Sequence, residues 1–290
     1  PACSSIVMPQ PNLSYCGDLV RQHDPDRFLT SLFAPSGERE AIWSLLAFNY
    51  EIAKTREVVS EPTIGHIRLQ WWRDSIAEAF AGEPKQHEVL QPLACHARTY
   101  GWDQALFDAL IDARERDLEA TSPTDVPALV DYASATTRPL ILLICQTLGG
   151  NIGDGNIKQA AHHAGVAHAL TGIMRAMAHY LNEQRQMLPE DLLADQSLTA
   201  SRVSDFPHDE RLKPVIMQLA GEARQHLTAA RDLRPWVPRR LTPAFLPATL
   251  AMLGLRQLAK AGYDPFDMRV ISAHPHQALS LSWRAPLGLW

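Results

Sequence analysis

Two stretches of this 290-residue chain carry side chains whose types and spacing could handle a charged ligand. The first runs from Arg39 to Ile76 and holds Glu51, Lys54 and Glu57, then Arg68, Trp71, Trp72 and Arg73. The second, Ala164 to Leu192, holds His168, Arg175, His179, Tyr180 and Arg185. Carboxylates gathered on one helix face are the oxygen ligands a hard divalent ion prefers. Guanidinium groups instead grip phosphate oxygens directly, through a planar fork. Lys54, Arg68, Arg73, Arg175 and Arg185 could form such a cationic wall, or could pair with Glu57, Glu61, Asp74 and Glu183, and both readings stay open. On spacing alone, Glu51 and Glu57 read as solvated or as partners of Lys54 and Arg56.

Helices must position these groups. Ile42, Leu45, Leu46, Ile52 and Ala53 recur near helical spacing, which predicts an amphipathic helix with Asn49, Ala53 and Glu57 one turn apart on a face turned to the interior. Pro62 then breaks the chain, Ser60 is placed to cap the next helix, and that second helix carries Arg68 through Arg73 and on to a Gly82-Glu83-Pro84 stop.

At this point the residues meet a known family. The run Ala47-Phe48-Asn49-Tyr50, then Ala53-Lys54-Thr55-Arg56-Glu57, then Arg68-Leu69-Gln70-Trp71-Trp72 resembles the first aspartate-rich region of squalene and phytoene synthases. Those enzymes join two prenyl diphosphates head to head, and their carboxylates hold Mg²⁺ against the diphosphate. Laid on that pattern, the three acidic positions are Ala53, Lys54 and Glu57. The stretch Ala169 to Tyr180, followed by Arg185-Gln186-Met187-Leu188-Pro189-Glu190, is similar to the family's second signature, and its acidic positions are Ala176, His179 and Tyr180. Only Glu57 keeps a carboxylate, and alanine or lysine cannot give Mg²⁺ the oxygens it needs. The depleted motifs resemble the squalene/phytoene-synthase-like branch that assembles respiratory complex I, with its bacterial relatives. The likeness covers about the whole chain and is strongest over Phe28 to Phe80 and Ala164 to Leu192.

Histidine gives no obvious metal set. His168 and His179 lie ~16 Å apart along a helix, too far to share an ion with bonds near ~2 Å. His162 and His163 are neighbours expected to point about 100° apart, so they read as ordinary histidines. The expected metal-ligand set is therefore empty, and no cofactor is expected unless the chain is an active transferase, which would need Mg²⁺.

The formal net charge of −5, with arginine and lysine interspersed among acids, excludes a broad basic footprint, and nucleic acid is not an expected partner. Cys3, Cys16, Cys95 and Cys145 are scattered, without a C-x-x-C pair, which fits neither a disulfide framework nor a zinc site. The segment up to Leu13 reads as a loose arm without the basic and apolar regions of a signal peptide. The longest uninterrupted apolar run, Pro139 to Cys145, is far shorter than the roughly 20 residues of a membrane span. The expected location is cytoplasmic, peripheral at the inner membrane, on the matrix side in a eukaryote.

Further helices are predicted over Asp24 to Phe33, Pro92 to Tyr100, Trp102 to Glu119, Val126 to Leu148, Ile157 to Asn182, Asp209 to Leu233 and Thr242 to Ala261, with no strand alternation. The glycine-rich turn Gly149 to Gly155 lacks the lysine of a phosphate loop. Periodicity gives an all-α chain with no internal boundary over 1–290; the resemblance implies that its helices form an isoprenoid-synthase-type bundle around a central cavity. Trp71 and Trp72 read as core or groove wall, and the small residues around Gly165 and Gly172 as sites of close helix approach or as room for a slender isoprenoid chain.

Three functional readings are open. The leading one is a non-catalytic factor in complex I assembly that binds an isoprenoid, a prenyl diphosphate or a respiratory-complex subunit. The second is an active prenyl-diphosphate transferase, and the third a lipid-binding carrier. The residues expected to contact a ligand are Lys54, Glu57, Arg68, Trp72, Arg175 and Arg185. The C-terminal mixture of Trp236, Arg239, Arg240, Phe245 and Leu246 with Leu279, Leu281, Trp283, Leu287, Leu289 and Trp290 suits either a membrane surface or a tail folded over the bundle.

Overall fold

The computed structural model describes residues 13–59, 61–119, 121–205 and 209–290. The expected N-terminal arm up to residue 12 and the capping role of Ser60 lie outside them.

The chain enters through α1 (Tyr15–His23), a helix the sequence reading missed although Ser14 caps it by accepting from the Gly17 amide at 3.0 Å. Asp24 caps α2 (Pro25–Ser31) in the same way, accepting from Arg27. The central helix α3 (Arg39–Ala53) buries Ile42, Leu45, Leu46, Phe48 and Ile52 at 0–2% exposure. It stops at Lys54, where ψ is −5° instead of the roughly −42° of a helix, and a separate turn, α4 (Thr55–Val58), comes next. That break corrects the expected continuous face: Asn49 is buried, whereas Glu57, one turn beyond the break, is exposed.

After Pro62 comes α5 (Pro62–Ala81), ended by Gly82 in the left-handed conformation at φ 96°. Beyond it lie α6 (Leu90–Tyr100), α7 (Gln104–Glu115) and α8 (Val126–Thr147). At 22 residues, α8 is long and apolar enough to cross a membrane by length and composition, more than the short run Pro139 to Cys145 suggested. In the fold it packs against α7, α3 and the next helix, α9 (Gly155–Arg175).

A single helix was expected from Ile157 to Asn182, but the chain breaks at Ala176 and resumes as α10 (Met177–Asn182). Short helices α11 (Glu190–Asp195) and α12 (Ala200–Asp205), neither anticipated, lead to α13 (Leu212–Asp232). The expected helix Thr242 to Ala261 is two, α14 (Thr242–Phe245) and α15 (Pro247–Lys260), because Pro247 has no amide to continue the ladder and instead starts the second. The chain closes with α16 (Met268–Ile271) and α17 (Gln277–Arg284).

There is no strand among the described residues, and one contiguous apolar cluster runs from Cys16 to Trp290. Its centre is α9, packed against α8, α13 and α15. Small side chains permit that crowding: Ala160, Ala161, Ala164 and Ala167 are fully buried, and a Cβ added at Gly165 would overlap Thr137 of α8. Among the described residues Cys16, Cys95 and Cys145 are free thiols.

Candidate functional site

Both motif helices break at one of the positions where the family pattern is acidic, α3 at Lys54 and α9 at Ala176, and the turns beyond the breaks face each other. Glu57 of α4 and His179 of α10 approach to 3.6 Å, each about half exposed, so the fold does bring the two motifs together. The charge that is buried, however, is Glu51, at 5% exposure. Its carboxylate takes Lys54 Nζ at 2.5 Å and Arg68 Nη2 at 2.9 Å, tying α3 to α5. Lys54 also lies over the Tyr50 ring, which stacks on His23. On α3, α4 and α5, Asn49 Oδ1, Thr55 Oγ1, Arg68 Nε and Trp72 Nε1 are buried without a hydrogen-bond partner among the described residues.

Arg175 and Arg185 find other carboxylates. Arg175 donates to Asp26 at 3.0 Å and to the Val270 carbonyl, linking the end of α9 to α2 and α16. Arg185 donates to Asp117 at 2.5 Å and to the Tyr132 hydroxyl at 2.9 Å, and Arg114 reaches the second oxygen of Asp117 at 3.2 Å. Asp117 is 4% exposed. Burial works against the charge on Arg185, but Tyr132, Asp117 and Tyr180 around it outweigh burial and hold its pKa above the ordinary value. Burial, reinforced by Asp117, pushes the Tyr132 phenol up to about 12. Of the two alternatives left open for these arginines, the pairing with Glu57, Glu61, Asp74 and Glu183 is absent among the described residues, and other carboxylates take them. Arg73 likewise pairs with Asp112 and Glu115 of α7 rather than with Asp74. Sequence spacing reports neighbours on one helix, and every one of these partners comes from another element.

Between α2, α3, α8, α9 and α14 lies a narrow apolar cavity of about 20 Å³, room for about one water molecule. Leu46, Leu140, Ile141 and Ile144 make its wall, and Arg27, Thr30, Ser31, Thr137 and His168 its polar positions. Burial, with Arg27 adding to the effect, lowers the His168 pKa to about 4, so the ring is neutral near pH 7. Arg27 is held by Asp24 at 2.8 Å, and the Arg175–Asp26 pair acts on the same ring. The sequence reading did not place Arg27 or His168 there; Asp24-Pro25-Asp26 announced only a helix start.

Trp72 is 1% exposed and stacks edge-on against Phe48 and Trp71, contributing one side of an outer groove that Val58, Ile67 and Arg68 share. The two glycines of the second motif separate in role. Gly165 sits at the tight α8–α9 contact, whereas nothing lies within 4 Å of a Cβ placed on Gly172.

The Mg²⁺ that the family's chemistry implies does not fit these residues. Ala53 and Ala176 offer no ligand, Lys54 brings a positive charge already paired with Glu51, and Glu57 is exposed beside His179. One solvent-facing carboxylate does not make an octahedral oxygen site.

The family model described as squalene/phytoene synthase matches residues 20–290. The chain belongs to that family. Its relatives include the bovine (Bos taurus) NADH dehydrogenase (ubiquinone) complex I assembly factor 6, 28% identical over 93% of this chain and 81% of that protein. They also include a presqualene diphosphate synthase from Rhodopseudomonas palustris, 28% identical over 72% of this chain and 74% of that protein. Among solved structures, a squalene synthase from Alicyclobacillus acidocaldarius superposes with a TM-score of 0.76 at 21% identity, covering 87% of this chain and 94% of that one. A dehydrosqualene synthase determined with a ligand superposes at 0.80 with 14% identity, covering 94% of each chain. The fold of this family member is thus the isoprenoid-synthase helical bundle.

Proposed function

We propose that this family member does not condense prenyl diphosphates and instead serves the assembly of respiratory complex I, binding an isoprenoid-like ligand or a partner subunit through the retained fold as a single unit. The observation that carries the reading is the charge at the family's acidic positions. One exposed carboxylate, Glu57, remains, and an ion-paired lysine stands where another should be. Ionising an allylic diphosphate requires several negative oxygens to hold metal on the leaving group. The likeness to complex I assembly factor 6 supports the same reading. Lys54, Arg68, Arg175 and Arg185 would meet a ligand's polar head only by sharing it with Glu51, Asp26 and Asp117, which favours a weakly charged or neutral head over a diphosphate. Incubation with farnesyl and geranylgeranyl diphosphate and Mg²⁺ is expected to yield no squalene, phytoene or cyclopropyl intermediate. Product above a denatured control would establish the transferase reading in its place. Loss of the protein from its own cells is expected to lower assembled complex I on native gels.

A second reading concerns where it works, and the observation behind it is one outward face. Trp236, Leu279, Trp283 and Leu287 are 66%, 66%, 48% and 55% exposed. Beside them Arg231, Arg234, Arg256 and Arg284 repel one another; burial first, and these neighbours next, lower the Arg231 pKa to about 10. Apolar side chains beside clustered arginine suit an anionic membrane surface.

A further inference from the structure

His162 and His163 of α9 meet His226 of α13, with one ring nitrogen from each within 4.8 Å of the others. The expected divergence of the two neighbouring histidines does not occur: their ring centroids are 4.9 Å apart, and those of His163 and His226 are also 4.9 Å apart. We propose that these three imidazoles bind one divalent transition-metal ion of the zinc class, clamping α9 to α13.

The partners of the rings are those of a ligating set. His226 Nε2 lies 3.3 Å from the Glu222 carboxylate, one turn earlier on the same helix, and the tautomer with its proton on Nε2 leaves the Nδ1 lone pair for a metal. That Nδ1 faces His163 Nδ1 at 3.0 Å. Two ligand atoms of a tetrahedral site with bonds of ~2.0 Å stand ~3.3 Å apart, so this pair needs a shift of only about 0.3 Å. Without metal, the His163 Nδ1 proton bridges the two nitrogens. On binding, the ion takes that place, the His163 ring carries its proton on Nε2, and the net proton count is unchanged. His162 Nδ1 bonds Ser134 Oγ at 2.7 Å, which turns its Nε2 outward as the third donor. Carboxylate and hydroxyl partners of this kind fix the tautomer and orientation of metal-bound histidine. Imidazole donors suit zinc, copper, nickel and iron rather than magnesium. The site is separate from the cavity and from both family motifs.

The test uses the untagged full chain, with Zn²⁺ measured by competition against a chromophoric chelator and Co²⁺ by visible absorption. One equivalent of either ion per chain is expected, with tetrahedral Co²⁺ bands and a rise in melting temperature. His226→Gln and His163→Gln should each weaken binding at least tenfold, and Glu222→Gln about tenfold or more. Circular dichroism confirms that each variant folds, and whichever of the two histidine variants folds suffices. Changing the surface pair His274 and His276 to alanine should leave binding intact. The proposal is overturned if binding survives the His163 and His226 substitutions, if it is lost with His274 and His276, or if no stoichiometric ion is taken up.

Discussion

Arg68 of α5 lays its guanidinium 2.9 Å from the carboxylate of Glu51, one turn before the break in α3. This contact makes Glu51 the carboxylate on which the first motif is built, while the family's own position, Glu57, faces solvent. Removing one partner of a buried pair leaves the others uncompensated. Glu51→Gln is expected to lower stability by about 2 kcal/mol, less than for a fully buried pair because Lys54 and Arg68 can relax toward water. Glu57→Gln should change it by less than ~0.5 kcal/mol. Urea unfolding of the two variants decides, and equal effects would contradict the assignment.

The two glycines of α9 should respond in opposite ways. Gly165→Ala drives a methyl into Thr137 and should cost about 1–3 kcal/mol. Gly172→Ala meets open space on a helix and should be neutral or stabilising by up to ~1 kcal/mol. Thermal melts of both variants provide the comparison.

Acid should unfold the protein earlier than its carboxylates alone require. The His168 pKa in the fold, about 4, lies below its unfolded value of 6.5. The unfolded chain therefore takes up the proton first. Its contribution to stability is complete above pH 6.5 and is lost as pH falls from 6.5 toward 4. His168→Gln should flatten the dependence of the urea midpoint on pH across that window, and an unchanged slope would show that the ring is not held neutral.

The C-terminal segment divides by side. Phe245, Leu246 and Leu281 are fully buried, and Trp290, 1% exposed, stacks on Phe245, so this inward part of the tail does fold over the bundle. Trp290→Ala is expected to cost about 3–5 kcal/mol. The outward residues should separate from this. Trp283→Ala combined with Leu287→Ser is expected to leave the melting temperature within a few degrees and to abolish sedimentation with vesicles rich in anionic phospholipid. No binding of the unaltered chain to those vesicles would remove the membrane reading.

Periodicity, proline and glycine placed most of the long helices, because burial of one face and the lack of a proline amide act within a few residues. The motif frames, and the loss of five acidic positions, were equally plain in the residue types. The sequence alone thus determined an all-α chain that keeps a carboxylate at one of the six acidic motif positions. Which carboxylate answers which arginine was settled only by the tertiary structure. Arg68 meets Glu51 across 17 residues, His163 meets His226 across 63, and Arg175 meets Asp26 across 149. Helical spacing tells which side chains share a face, but not which face of another helix is packed opposite. The breaks at Lys54 and Ala176 were hidden for a related reason: neither residue opposes helix by itself, and a helix ends there only where tertiary packing outweighs local propensity.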